Sequence, residues 1–420
     1  MSFFKCLIVG IGILSASPDS SAVESPGNTT PYIQPYYARL ASRLAIKPAF
    51  TPTGGNEFEL IRIGSRFSEL LLQDLEEAKS LIELEVFLFG NDKEGRKVRD
   101  ILARKTTEGV QVRYIHDNFG NFFDSIFDGR PVFTGYYSEF RKLGIDMRAF
   151  SPLLLPDPTY TSPDARNHRK INLIDKRIGY TGGMNLTHGS MSGWNDTQLR
   201  ITGPAVQCLR KVFLEDWNRI GKPENQLEHD CSEACSGQGK IIQCIADGPD
   251  QPAYMMEEAI VWLLENAKEY VWFETPYFLP SRPVMKAMEK AARRGIDVRL
   301  ILPEVSDMTA LDPAYRAPVK DCIKHGITVV YRKPPFNHSK TFVCDDYITC
   351  VGSSNLDKLS LLSLYELNVL IYDSPTALEH KAYLSREQEG ARVADKALID
   401  SWDGSERFKQ ATLSIIGRWL

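Results

Sequence analysis

The sequence predicts an α/β protein of two similar halves, each a mixed, largely parallel sheet flanked by helices. The first observation behind this is internal repetition: NHRKINLID begins at Asn167 and NHSKTFVCD at Asn337. The second is an alternation of short β-type runs with amphipathic helical stretches around each copy.

The repeat reaches well beyond the two motifs. From His168 to His338 the offset is 170 residues, and the same offset carries Asn185 (TGGMN) onto Asn355 (GSSN) and Asp196 (GWNDTQLRI) onto Glu366 (LYELNVLI). Upstream, EEAKSLIELEVFLF (76–89) matches ENAKEYVWFETPYF (265–278), which sets Glu85 against Glu274. EGVQVRYI (108–115) matches RGIDVRLI (294–301), and KLGIDM (142–147) matches KHGITV (324–329). The offset shrinks from 189 to 170 along the way, as loops of unequal length produce.

In order, SRFSELLLQDLEEAK (65–79) and AYMMEEAIVWLLENAK (253–268) have helical apolar spacing. LIELEVFLF and YVWFETPYF follow as strands rich in β-branched and aromatic residues. GRKVRDILARKTTEG (95–109) and SRPVMKAMEKAARRG (281–295) are helices closed by Gly, after which VQVRYIHD and IDVRLILP are strands again. Strand, helix and strand in succession favour parallel pairing.

The chain has 420 residues, 43% of them hydrophobic, enough for two ordinary cores. Its 50 basic and 54 acidic side chains leave a net charge of −4, which disfavours a nucleic-acid partner. MSFFK, the apolar CLIVGIGIL (6–14) and the small residues after it read as a signal peptide or short anchor over 1–22, too short to span a bilayer. Residues 23–56 read as a Ser/Pro/Gly/Thr-rich linker, 57–225 as the first domain, 226–239 as a junction and 240–420 as the second domain with a helical tail. Of eight cysteines, seven remain without Cys6, an odd number that argues against a disulfide framework. HDCSEAC (229–235) has no second Cys/His pair at zinc spacing and reads as a junction loop, and Cys344 and Cys350 read as buried thiols.

His168 and Lys170, like His338 and Lys340, are two residues apart, so on a strand each pair faces one side. Asp175 and Asp345 have the opposite parity and open the turns DKR and DDY, which by position makes them turn and backbone-bonding groups. The returning strands bring Asn185 and Asn355 back toward the His/Lys end. A lone histidine on a strand is ordinarily a satisfied structural residue. Two that each carry Lys, Asn and a carboxylate at +2, +17 and +28 are not.

Two lysines and two asparagines direct positive charge and hydrogen-bond donors at one place, as a phosphodiester requires. Asp196 and Glu366 can each accept a histidine Nδ1–H, leaving Nε2 toward the substrate. One neutral imidazole then attacks phosphorus, and the other, protonated, donates to the leaving alcohol. No carboxylate cluster points to a two-metal site, so the expected reaction uses neither metal nor cofactor.

HRKINLID with GGMN, and HSKTFVCD with GSSN, resemble the double motif of the phospholipase D superfamily. Over about residues 57–375, stretches such as VFLEDW, ETPYFLP and VGSSNLDKLSLLSLYELNVLIYD are similar to its bacterial cardiolipin synthase branch. The resemblance implies two phospholipase D-type domains, related by a pseudo-twofold axis with the active site between them, and a phosphohistidine intermediate. It implies His168 as nucleophile and His338 as acid/base. It counts Lys170, Asp175, Lys340 and Asp345 in the catalytic motifs, and sets Asn185 and Asn355 beside the lysines on the phosphate.

The implied reaction joins two phosphatidylglycerols into cardiolipin plus glycerol at a bacterial membrane surface, on its extracytoplasmic side where the leader directs export. Against the typical branch member, the chain lacks two clear N-terminal spans and has LSLLSLYELN where a more polar, Arg-containing segment is usual. Hydrolysis to phosphatidic acid and metal-independent nuclease action use the same groups and stay open as alternatives. A non-catalytic lipid binder is disfavoured by two intact histidine sets.

NFGNFFDSIFDGRPVFTGYY (118–137) and LLLPDPTY (153–160) are expected to meet lipid or to cover the core between the halves. FKQATLSIIGRWL (408–420) is expected as a helix that docks on the second domain or lies on the membrane. His188 and His229, without counterparts, are expected at the surface.

Overall fold

The structure is a computed structural model and describes residues 33–45, 50–120, 136–150, 165–221, 227, 239–251, 253–307 and 312–402. The leader, most of the aromatic stretch (121–135), 153–160, His229 with Cys231 and Cys235, and the tail 408–420 lie outside the described residues.

The first half supplies β1 (Thr53–Ile63), β2 (Leu81–Val86), β3 (Gln111–Asp117), β4 (Asp146–Phe150), β5 (Ile171–Ile174), β6 (Ile178–Gly182) and β7 (Asn195–Thr202). The second supplies β8 (Lys240–Asp247), β9 (Tyr270–Glu274), β10 (Phe278–Leu279), β11 (Asp297–Pro303), β12 (Thr328–Arg332), β13 (Thr341–Cys344), β14 (Ile348–Gly352), β15 (Leu356–Asp357), β16 (Glu366–Tyr372) and β17 (Arg392–Val393). All except the small β10–β15 pair join one 15-stranded sheet. Outward from the central β1–β8 pair, the first half runs β1-β7-β6-β5-β2-β3-β4. The second runs β8-β16-β14-β13-β9-β11-β12, the same order strand for strand, with β17 added at its edge.

Parallel pairing is less extensive than expected. Within the large sheet it is confined to β2-β3-β4 and β9-β11-β12, where helices such as Lys93–Thr107 and Arg282–Arg293 make the crossovers. The inner strands pair antiparallel throughout. Their turns show why. Asp175, Lys176, Asp345 and Asp346 all have φ between 48° and 56°, the left-handed backbone of tight hairpin turns whose twist suits antiparallel strands.

Residues 35–44, expected inside a linker, form instead the helix Pro35–Leu44. Proline presets its first turn. Tyr37, Leu40, Ala41 and Leu44 make one apolar face, buried in the core of the second half. β1 also begins at Thr53, within the same stretch.

A separate apolar layer joins the halves. The helix Ala205–Arg219 lays Leu209, Val212 and Phe213 over Leu199 and Ile201 of β7 and Ile242 of β8. β16 is buried along its whole length: Leu367, Val369 and Ile371 belong to this layer, and Leu370 and Tyr372 to the second core. Each such side chain contributes about 1.5–3 kcal/mol when fully buried, so this layer holds the halves together. Cys208, Cys244, Cys322, Cys344 and Cys350 are buried free thiols. His188 is exposed. Among the described residues no helix is long and apolar enough to cross a membrane.

Candidate active site

Each histidine lies on a short irregular segment just before a strand, His168 before β5 and His338 before β13. Backbone bonds carry both segments across the seam. His168 N donates to Tyr365 O (2.9 Å) and Tyr365 N to Arg166 O (2.8 Å). Symmetrically, His338 N donates to Asn195 O (2.7 Å) and Asn195 N to Phe336 O (2.9 Å). Each histidine segment is thus paired with the residues that precede the carboxylate of the other half.

The carboxylates consequently act across the interface. Glu366 brackets His168 Nδ1 at 3.0 and 3.1 Å, and Asp196 meets His338 Nδ1 at 2.7 Å. The constant sequence offset had grouped each carboxylate with the histidine of its own half. Space exchanges them. In both pairs Nδ1 is engaged, which leaves Nε2 for a substrate.

Lys170 Nζ folds onto the carbonyl of His168 at 2.6 Å, and Lys340 Nζ onto that of His338. All four side chains are buried or nearly so, and burial sets their acidities. It lowers His168 to about 4 against the pull of Glu366, with Lys170 and Lys340 adding to the fall. It lowers His338 too, reinforced by Lys340 and opposed by Asp196. Lys170 falls to about 7, through burial and then Lys340, with Glu366 opposing. Lys340 falls to about 8 through burial, against Asp196 and Glu366. For Glu366, burial favours the neutral acid, but His168, Lys170 and Ser353 outweigh it and hold the carboxyl below its usual range. These mutual effects place the charged groups of both halves in one site.

Asn185 and Asn355 are both buried beside their lysines' strands. Asn185 Oδ1 accepts from Leu88 N at 3.1 Å, next to Phe87, whose ring lies 5.7 Å from Lys170 Nζ. Asn355 lines a small cavity with Lys340 and Glu274, and its buried Oδ1 meets no protein donor.

Asp175 and Asp345 stand apart from this cluster, at the far ends of β5 and β13. Asp175 accepts from Lys79 N, Ser80 N and Leu81 N at 2.8–2.9 Å. Asp345 accepts from Lys268 N, Glu269 N and Tyr270 N at 2.8–3.0 Å. Membership of the catalytic set, implied by the motif, gives way to a turn-holding role. The four-residue strands between place them too far from the histidines to touch a shared phosphate.

Several residues at the site went unread in the sequence. Phe87 packs edge-on to His168 at 5.2 Å, while Trp194 and Phe336 flank His338 at 5.2 and 6.0 Å. The Ser353 hydroxyl donates to Glu366. Its counterpart is Gly183, where a Cβ would sit 2.1 Å from Asp196 Oδ1 and displace the carboxylate. The offset could have found this pair, since it aligns GGMN with GSSN. Among the described residues no group of three or more His, Cys, Asp or Glu side chains is placed to hold a metal ion.

Comparison with known proteins gives the same assignment from outside. The family described as "Cardiolipin synthase, PLD-like domain" matches twice, over residues 71–217 and 260–387. A major cardiolipin synthase of Bacillus subtilis is 31% identical over 83% of this chain and 72% of its own. The cardiolipin synthase of Alkalihalophilus pseudofirmus is 32% identical over 80% of this chain and 67% of its own. The phosphatidylserine synthase of Haemophilus influenzae shares the fold with a TM-score of 0.69 at 13% identity, covering 90% of this chain and 97% of that one. Two family matches, one on each histidine motif, and a duplicated sheet closing on a single site make the chain a member of the cardiolipin synthase, phospholipase D-like family.

Proposed function

We propose that the protein moves a phosphatidyl group from one phosphatidylglycerol to a hydroxyl of another, forming cardiolipin and glycerol at a membrane surface. The chain is a phospholipid phosphatidyltransferase by family. The observation that carries the finer reading is the pair of crossed dyads, His168–Glu366 and His338–Asp196, with a lysine from each half beside them.

In this reading the neutral His168 Nε2 attacks the phosphorus of the first lipid. The P–N bond forms, the P–O bond to glycerol breaks, and His338 gives its Nε2 proton to the departing oxygen. Burial disfavours a charged His338, so the anionic diester and Asp196 together supply the charge that keeps that proton in place. The diester also restores full charge to Lys170 and Lys340, which offset the negative charge on the phosphoryl oxygens. Glycerol leaves, and a second phosphatidylglycerol hydroxyl gives its proton to His338. A new P–O bond forms as the P–N bond breaks, and His168 returns neutral.

The test is a product assay with purified protein in phosphatidylglycerol vesicles, His168→Ala serving as control. Cardiolipin and glycerol in equal amounts support the transfer. Phosphatidic acid with glycerol replaces it with hydrolysis, water having reached the phosphohistidine.

A further inference from the structure

Sequence matching paired Glu85 with Glu274 and gave each histidine a preceding asparagine, and the reaction as described uses none of the four. Around His168 these residues form a closed buried circuit. Asn167 Nδ2 donates to Glu85 Oε1 at 2.6 Å, and Asn167 Oδ1 accepts from Arg169 N at 3.0 Å. Glu85 lies against Asp216, which forms an ion pair with Arg169. Arg169 then reaches into the second half: its Nε donates to Glu366 O (3.1 Å) and Nη2 to Asp247 O (2.8 Å). Asn167, Arg169, Glu85 and Asp216 are each at most 2% exposed.

We infer that the Glu85–Asp216–Arg169 network is a positioning device for the nucleophile, fixing the two residues beside His168 and the backbone of Glu366 in one frame. Asn167 and Arg169 flank the histidine, and Arg169 holds the very residue whose carboxylate sets its Nδ1. The circuit is electrically closed as well. Burial, then the Asp216 carboxylate, lift Glu85 well above the usual carboxylate range, while Arg169 opposes the rise. Burial works against the charge on Arg169, but Asp216 and Glu85 more than restore it.

No guanidinium flanks the histidine at the matching position of the second half. Ser339 stands in the place of Arg169, its hydroxyl 2.9 Å from Thr197 Oγ1. Asn337 Oδ1 takes a bond from Asn195 Nδ2 at 2.8 Å, and that same nitrogen lies 3.5 Å from Glu274. An imidazole that must attack in line needs a fixed bearing, and a misplacement of about 1 Å costs on the order of 100-fold. A group that only passes a proton tolerates more latitude. The inference rests on His168 being the nucleophile.

Arg169→Lys tests it, since lysine keeps the charge beside Asp216 but lacks the planar fork that reaches Glu366 O and Asp247 O. With any phosphodiester that the wild type turns over, kcat should fall on the order of 100-fold while KM moves less than about twofold. Release of the first alcohol should slow in the same ratio. Ser339→Ala should change kcat less than about threefold, as loss of a single neutral hydrogen bond does. A turnover-independent readout is the ¹⁵N spectrum of the histidine rings, where Arg169→Lys should turn one tautomer of His168 into a mixture. A normal kcat and an unchanged His168 tautomer in folded Arg169→Lys overturn the inference, as does a lowered melting temperature alone. Failure to make cardiolipin bears on the lipid assignment only, because neither readout depends on that product.

Discussion

Around His338 the flanking residues are tied by neutral hydrogen bonds, Asn337 to Asn195 and Ser339 to Thr197. Around His168 they are tied to a buried guanidinium and two carboxyls. The strand order is otherwise the same in both halves, and each gives one histidine, one lysine and one carboxylate to the site. The difference teaches where a duplicated fold is free to diverge. Sheet order is set by crossovers and hairpins that a change at one buried position leaves alone. The bearing of one side chain depends on such positions directly. Neither half is sufficient, because each histidine takes its carboxylate from the other.

The crossed pairing offers the most sensitive way to break the comparison. Glu366→Gln should cost up to ~10⁴-fold in kcat, the effect of giving a catalytic histidine the wrong tautomer. Asp196→Asn should cost a similar factor with a glycerol leaving group. The two then separate on a p-nitrophenyl phosphodiester, whose leaving group departs without a proton. The nitrophenol burst should return in Asp196→Asn and stay absent in Glu366→Gln. Carboxylates serving their own halves would give the reverse.

How much of this was legible beforehand follows from what kind of information the repeat holds. The offset between NHRK and NHSK located His168, Lys170, His338 and Lys340, since a repeated motif reports residue type and spacing directly. It equally located Asp196 and Glu366 but left open which histidine each one serves, because pairing across a seam depends on which backbones meet there. The helix Pro35–Leu44 was hidden by flanking Ser, Pro and Gly, although Tyr37, Leu40, Ala41 and Leu44 keep the helical period. Arg169 was passed over because Ser339 holds its place in the second copy, and a search for repeats discards what is not repeated. The antiparallel inner sheet was written in the turns DKR and DDY, read as turns but not followed to their consequence.

A smaller effect sharpens the comparison of the lysines. Lys170 loses its proton at about 7 and Lys340 at about 8, both chiefly through burial. Deprotonation removes positive charge from the site, so kcat/KM should decline as pH rises above about 7, as two coupled steps and not one. Lys170→Met should lower kcat/KM on the order of 10²–10³-fold at neutral pH and remove the earlier step, leaving the decline near 8. A profile of unchanged shape in Lys170→Met would assign that limb to another group.

The smallest expected effect on rate belongs to the motif aspartates, and it separates motif membership from participation. Asp175 meets three backbone N–H groups and the Ser80 hydroxyl, all at 2.7–2.9 Å. Partial burial disfavours its charge, but those bonds prevail and hold its pKa below the usual value. Its stabilising contribution is therefore present above the unfolded carboxylate pKa and lost as pH falls through the folded one. Asp175→Ala should lower stability by about 1–2 kcal/mol, since water can reach some of the donors, and leave kcat within about twofold. Asp345→Ala should cost more, because it also releases the Tyr37 hydroxyl (3.1 Å) and loosens the helix Pro35–Leu44, which packs in the core of the second half. Denaturant melts beside initial rates decide the matter. A kcat lowered by 100-fold or more in a fully folded Asp175→Ala protein would return this residue to the reaction, and the distance along β5 would then have to be closed by movement of the hairpin.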